Sequence, residues 1–261
     1  MTIISRSSVL HSSQSSAQFI VPNWPAPSAV KAYSTTRLSG ASGGVYASMN
    51  LGLHVGDQDS QVIRNRSKLS SDLTLPSEPV WLTQAHSARV VNADLAIESA
   101  VDGTFSTRAN TICVVMTADC LPLLLTNQAG DQVAAIHAGW RGMSNGIIEN
   151  AVALFNCHAA EIVAWAGPCI GPTQFEVGAE VRALLGGPDS AYRKIEDNVD
   201  QSNKLLADLY QLCGHRLAAV GVTNYSHSNA CTYLDEHHFF SYRRDGQCGR
   251  MASLIWIDNE S

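Results

Sequence analysis

Three residues of this chain, His86, Cys120 and His137, have the side-chain chemistry of a metal site. A soft thiolate and two imidazoles suit a tetrahedral Zn²⁺ at about 2.0–2.3 Å from each donor. The same donors accept Cu²⁺. Three protein ligands leave a fourth position for water or substrate, and zinc lowers the pKa of such a water to about 7. Small neighbours, Ala85, Ala118, Ala138 and Gly139, leave room for an ion or a ligand. Asp119, next to Cys120, offers a carboxylate that can orient a ligand or move protons. The three donors lie far apart in sequence, so no spacing rule tests them as a set. Residue types alone leave open a buried core thiol and hydrogen-bonded imidazoles.

The surrounding elements favour a site. The apolar run 111–116 reads as a buried strand and ends in Thr117-Ala118-Asp119-Cys120. Residues 132–137 read as another strand, followed by Ala138-Gly139-Trp140-Arg141-Gly142. His86 lies between short extended pieces at 80–82 and 89–91. Loops held at the ends of rigid strands are where sites are usually built. Extended chain is also expected at 121–126, where Pro122 suggests an edge or a bulge, and at 161–166, 216–222 and 251–257. Apolar periodicity predicts helices over 60–69, 142–155, 178–185 and 203–213. The class is α+β, with sheets covered by helices.

Arg141 precedes a predicted helix and Arg37 lies in a Ser/Gly-rich loop; both are candidate phosphate or substrate contacts. Arg243, Arg244 and Arg250 surround Asp245-Gly246 and read as surface charge. The Gly-rich stretches fit neither a phosphate-binding P-loop nor a dinucleotide fingerprint. Among the other cysteines, Cys113 reads as core, Cys157 and Cys213 as helix-end packing, and Cys169 as a structural thiol in a Gly-Pro loop. Cys231 and Cys248 lie in polar loops.

The 261 residues are 45% hydrophobic and 15% charged, enough apolar material for a sizeable core. A net charge of −6 argues against a basic nucleic-acid-binding surface. Seven cysteines without a disulfide rhythm, and no signal-like or membrane-spanning apolar run, point to a cytoplasmic protein not bound to membrane. Residues 1–18, rich in Ser and Gln, read as a flexible tail, and 19–261 as one domain.

The motifs then resemble a known family. They are Thr35-Thr36-Arg37, Ser48-Met49-Asn50-Leu51-Gly52, His54-Val55-Gly56-Asp57, Gln84-Ala85-His86, Thr117-Ala118-Asp119-Cys120-Leu121-Pro122 and His137-Ala138-Gly139-Trp140-Arg141-Gly142. Gly167-Pro168-Cys169-Ile170-Gly171-Pro172, Phe175-Glu176-Val177-Gly178 and Phe240-Ser241-Tyr242-Arg243-Arg244-Asp245-Gly246 follow. In this order they resemble the YfiH family, also called the laccase-domain, polyphenol oxidase or peptidoglycan editing factor family.

The resemblance implies a CNF1/YfiH-like layered α/β/β/α fold with mixed sheets, zinc on His86, Cys120 and His137, and a monomer. For many members it implies purine nucleoside phosphorylase activity with adenosine deamination, on adenosine, inosine and methylthioadenosine-class substrates with phosphate. An amidase that edits peptidoglycan precursors and a metal-free Cys120–His137 hydrolase are the alternatives. A Leu38-Ser39-Gly40 sequence after Arg37 departs from the family's Arg-x-Gly-Gly and weakens Arg37 as a substrate contact. A multicopper laccase needs about ten His ligands, usually in His-x-His pairs. This chain has nine histidines and no His-x-His, which leaves copper at most a weak oxidase activity at the single site.

Overall fold

A computed structural model describes residues 18–97, 99–195 and 204–259. An antiparallel sheet runs in the order β1 (Phe19–Ile20), β2 (Val30–Thr35), β13 (Met251–Ile257), β5 (Cys113–Thr117). A mixed sheet runs β12 (Asn224–His227), β8 (Ile162–Ala166), β6 (Leu121–Asn127), β7 (Val133–Ala138), β4 (Gly103–Ser106), β3 (Val90–Asn92). Its two outermost pairs are parallel and the inner pairs antiparallel. A small sheet joins β10 (Tyr192–Lys194), β11 (Leu205–Ala207) and β9 (Glu176–Val177).

Strand alternation sends successive side chains to opposite faces, and this builds the layers. Leu124, Val133, Ala135 and Trp165 of the mixed sheet meet Ala32, Cys113, Val115 and Ile255 of the antiparallel sheet. Leu123, Leu125, Ile136 and Ala164 face the other way. They pack on α3 (Ile147–Val152) and α5 (Leu209–Ala219), with α2 (Trp140–Ser144) and α4 (Ala179–Leu185) in the same cluster. On the far side, Val114, Leu254 and Trp256 cover Leu69 of α1 (Asp59–Asp72). The order of layers is therefore α/β/β/α. A single turn, α6 (Tyr242–Asp245), precedes β13.

Several local expectations need correction. The helix expected at 142–155 starts at Trp140 and is split in two, because Gly146 adopts a left-handed φ of 87° between the halves. The helix expected at 203–213 is strand β11 followed by α5. Asp208 caps α5 by accepting from the Gln211 N–H, 3.1 Å. Asn203 lies outside the described residues. The strand expected at 216–222 is the end of α5, where Leu217 continues the buried stripe of Leu209 and Cys213; the strand comes later, as β12. Pro122 sits neither at an edge nor at a bulge. It is the second residue of a central strand, paired with His137 and just outside the ladder to β8, which begins at Leu123.

Of the expected tail, residues 1–17 lie outside the described residues. Gln18 is tied to the fold, its side chain donating to Asp72 at 2.6 Å and its carbonyl accepting from the Thr36 N–H. Among the described residues no helix is long and apolar enough to cross a membrane.

Leu124, fully buried on the central strand between the two sheets, tests this packing. Leu124→Ala should cost about 2–5 kcal/mol, read as a lower urea midpoint at unchanged m-value.

Candidate metal centre

Two adjacent strand ends bring the donors together. The chain leaves the antiparallel sheet at Thr117 and enters the mixed sheet at Leu121. The three-residue crossing carries Asp119 at φ 89° and then Cys120. Leu121 pairs with Ala138, so Cys120 lies across from the end of β7, where His137 sits. Gly139 is needed here. A Cβ at residue 139 would lie 3.0 Å from Cys120 Sγ and 3.2 Å from His86 Cδ2.

Asp102, at the head of β4, organises the rest. Its carboxylate is fully buried. It accepts the backbone N–H groups of Ala85 (3.1 Å), His86 (2.9 Å) and Ser87 (2.6 Å), and the Ser87 hydroxyl (2.7 Å). This holds the loop in which His86 takes a φ of 58°, uncommon outside glycine. The same carboxylate lies 2.8 Å from His137 Nδ1. With its Nδ1 proton directed at Asp102, His137 presents Nε2 as a donor atom. The two imidazole rings are 4.9 Å apart at 72°. Cys120 Sγ is 3.9 Å from His86 Nε2, and the three donor atoms lie within 4.8 Å of one another. Small side-chain rotations let one ion at about 2.0–2.3 Å bridge them. The donor set therefore fits a metal.

The electrostatics match. Burial would raise the Cys120 thiol, but the charge and hydrogen bond of His137, with His86, bring it down to about 6. Burial would lower His137, but the Cys120 thiolate and Asp102 raise it to about 9. Asp102 is held well below the usual carboxylate range. Its burial acts the other way and is outweighed by His137 and Ser87. The two shifts favour thiolate at Cys120 and imidazolium at His137 in metal-free protein, and a bound metal would take the place of the imidazolium proton.

The trio opens onto a cavity of about 500 Å³ whose lining includes Asp119, Trp140, Arg141, Phe175, Tyr242, Arg243, Arg250 and His54. Of the predicted substrate contacts, Arg141 is there, its guanidinium 4.3 Å above the Trp140 ring. Arg37 is not. It lines a separate groove with Ser48 and Glu236, lies over the Phe240 ring and donates Nε to Ala47 O at 2.8 Å. Asp119 lines the cavity with both oxygens engaged, accepting from Thr232 Oγ1 and from the Arg243 N–H, each at 2.6 Å. Arg244 ties Thr232 O, Tyr233 O and Phe239 O together, a structural post. Cys169 is buried next to Ile170, which does line the cavity.

Sequence reasoning missed Asp102, and with it His54, Phe175 and Tyr242. The available signal for Asp102 was an acid between Val101 and Gly103 at the head of the short strand Gly103–Ser106. Nothing local linked it to His86 or His137.

A helix–sheet–sheet–helix sandwich whose described residues gather one His–Cys–His group that could hold a metal ion defines the class of protein. Within it, residues 31–258 match the model of the family described as multi-copper polyphenol oxidoreductase laccase. The chain belongs to that family, the YfiH laccase-domain family. It is 45% identical over 243 residues to a protein of Escherichia coli strain K12 named purine nucleoside phosphorylase YfiH, covering 92% of this chain and 99% of that one. A Haemophilus influenzae protein named purine nucleoside phosphorylase is 43% identical, with 92% and 100% covered. The crystal structure of a Neisseria meningitidis protein of family DUF152 matches with a TM-score of 0.86 at 42% identity, covering 93% of this chain and all of that one. YlmD from Geobacillus stearothermophilus matches at 0.84 and 29% identity, with 94% and 98% covered.

Two outcomes test the centre. Asp102→Asn should weaken zinc binding about 10–100-fold in a chelator competition, because the group that orients His137 loses its charge and one of its two acceptor oxygens becomes a donor facing other donors. In metal-free protein, alkylation of Cys120 by iodoacetamide should persist at neutral pH and fall away as pH drops through about 6. The sign follows from a depressed thiol, which is thiolate above its own pKa. Asp102→Asn should move that fall to higher pH.

Proposed function

We propose that this chain is a zinc-dependent purine nucleoside phosphorylase that also deaminates adenosine, with adenosine, inosine and methylthioadenosine-class nucleosides as substrates. The observation that carries this reading is the union of a three-donor centre with a cavity of about 500 Å³. That volume is of the order small-molecule sites need, about 300–1,000 Å³. Trp140, Phe175 and Tyr242 on its wall supply aromatic faces for a purine. Arg141, Arg243 and Arg250 supply guanidinium groups for phosphate. The names of the similar proteins from Escherichia coli and Haemophilus influenzae support the same reading.

Zinc is the preferred metal because thiolate and imidazole are its usual donors. Multicopper chemistry needs more ligands than are available. Among the described residues the trio is the one group that could hold an ion. Bound there, zinc would supply Lewis acidity for a polarised substrate oxygen or an acidified water.

The chain's own groups do the rest. His137, oriented by Asp102, and Cys120 hold the charge of the centre. Arg141, at the start of α2 and over Trp140, draws phosphate towards the ribose carbon. Phosphate contact belongs to this wall and not to Arg37, whose guanidinium lines another groove. Asp119 holds the Arg243 turn, and it can exchange a proton once substrate displaces one of its two hydrogen bonds.

Cys120→Ala should remove the metal and lower kcat/KM for inosine on the order of 10²–10³-fold, since several kcal/mol of transition-state stabilisation disappear. Base release from inosine by wild type should require inorganic phosphate and yield ribose 1-phosphate. Full turnover in a metal-free Cys120→Ala protein, or equal base release without phosphate, contradicts the proposal.

A further inference from the structure

His54 and Arg250 come from opposite ends of the chain and meet on the wall of the metal cavity. Buried Asn50 joins their two segments. Its Oδ1 accepts from both the Arg250 N–H (2.9 Å) and the Gly52 N–H (3.0 Å), and the Leu51 N–H donates to Arg250 O at 3.1 Å. Gly52 leaves the space the two side chains use. A Cβ there would lie 3.0 Å from Arg250 Cγ and 3.4 Å from His54 Cε1. The arginine is only partly committed. Its Nη1 donates to Cys248 O (2.9 Å) and Gly249 O (3.0 Å), which fixes the plane of the guanidinium. Its Nε and Nη2 make no hydrogen bond among the described residues and remain available as a paired donor edge.

The local field is positive. Burial and then the charges of Arg250, Arg66 and His137 push His54 down, and no carboxylate is among the groups acting on it. A neutral imidazole beside a fixed guanidinium offers one N–H and one full positive charge. The nearest acid along the loop, Asp57, is turned to Asn50 Nδ2 and the Gln58 N–H. Asp119 has both oxygens occupied. This stretch of wall therefore presents donors and positive charge without a competing anion.

We infer that His54 and Arg250 form a dedicated tetrahedral-oxyanion subsite in the metal cavity, with Arg250 as a bidentate contact to inorganic phosphate and His54 donating to a third oxygen. Planar guanidinium groups match two oxygens of one phosphate, a fit that lysine cannot reproduce. The subsite rests on the phosphorolysis proposed above and deepens it. It divides the cavity, with Arg250 and His54 fixing phosphate, Arg141 drawing it towards the ribose carbon, and the aromatic wall selecting the base.

The test uses zinc-loaded protein. Inorganic phosphate is titrated calorimetrically into wild type, Arg250→Gln, Arg250→Lys and His54→Gln, and KM is measured separately for phosphate and inosine. The subsite predicts phosphate binding by wild type and at least tenfold weaker binding in Arg250→Gln. KM for phosphate should rise in parallel, and KM for inosine should stay within about twofold. Arg250→Lys keeps the charge and guards against misfolding; it should fall between wild type and the glutamine variant. Equal phosphate affinity across the four proteins, equal rises in both KM values, or no phosphate binding by wild type would overturn the subsite. If phosphate binding depends on Arg250 while base release proceeds equally without phosphate, the subsite stands and phosphorolysis falls.

Discussion

Everything at the metal centre hangs on one buried carboxylate. An ionised Asp removed from water costs several kcal/mol unless it is fully hydrogen-bonded. Asp102 meets that demand with three backbone N–H groups, a hydroxyl and an imidazole. The same five bonds do two structural jobs. They fold residues 85–87 around the carboxylate, which brings His86 to the cavity, and they fix which nitrogen His137 offers. A site that needs two histidines from distant segments thus obtains both from one anion. Charge-assisted bonds of this kind are about twice as strong as neutral ones, and here no water is needed to complete them.

The sandwich explains why the third donor arrives at the same place. Cys120 stands on the short crossing from β5, in one sheet, to β6, in the other. Both sheets are anchored by the dry layer around Leu124, Trp165 and Val115, so the crossing has little freedom. Interiors packed at crystal-like density have low compressibility and hold such positions closely. The backbone at Asp119 is left-handed, and its carboxylate reaches outward to Thr232 and Arg243. The late segment of the chain that contributes Tyr242, Arg243 and Arg250 is tied to the metal crossing by that side chain and by the pairing of Met251 with Thr117. Metal and substrate walls are mechanically joined.

Much of this was legible in the residues. Unbroken apolar runs marked β5, β7 and β13, and the small residues beside Cys120 and His137 marked strand ends with room for a ligand. The resemblance to the YfiH family supplied the layered fold. Where reading failed, the cause was physical. The pattern from 142 to 155 is helical throughout, and only the left-handed Gly146 breaks it. Residues 216–222 are apolar enough for a strand, yet their stripe belongs to a helix that begins with the cap at Asp208. Asp102 and His54 were not singled out, and Arg250 read as surface charge, because their roles arise from contacts between segments up to 200 residues apart, as between Asn50 and Arg250. Arg37 looked like a substrate contact in its Gly-rich loop, but its guanidinium packs on Phe240 in a different groove.

The central claim is that a single ion is held by one sulfur and two imidazole nitrogens oriented by Asp102. X-ray absorption spectroscopy at the metal edge of the purified protein, combined with elemental analysis, addresses it without relying on activity. The account predicts one zinc per chain, with a shell of one sulfur at about 2.3 Å and two histidine nitrogens among the lighter scatterers. A shell without sulfur, or two or more metal ions per chain, would contradict it.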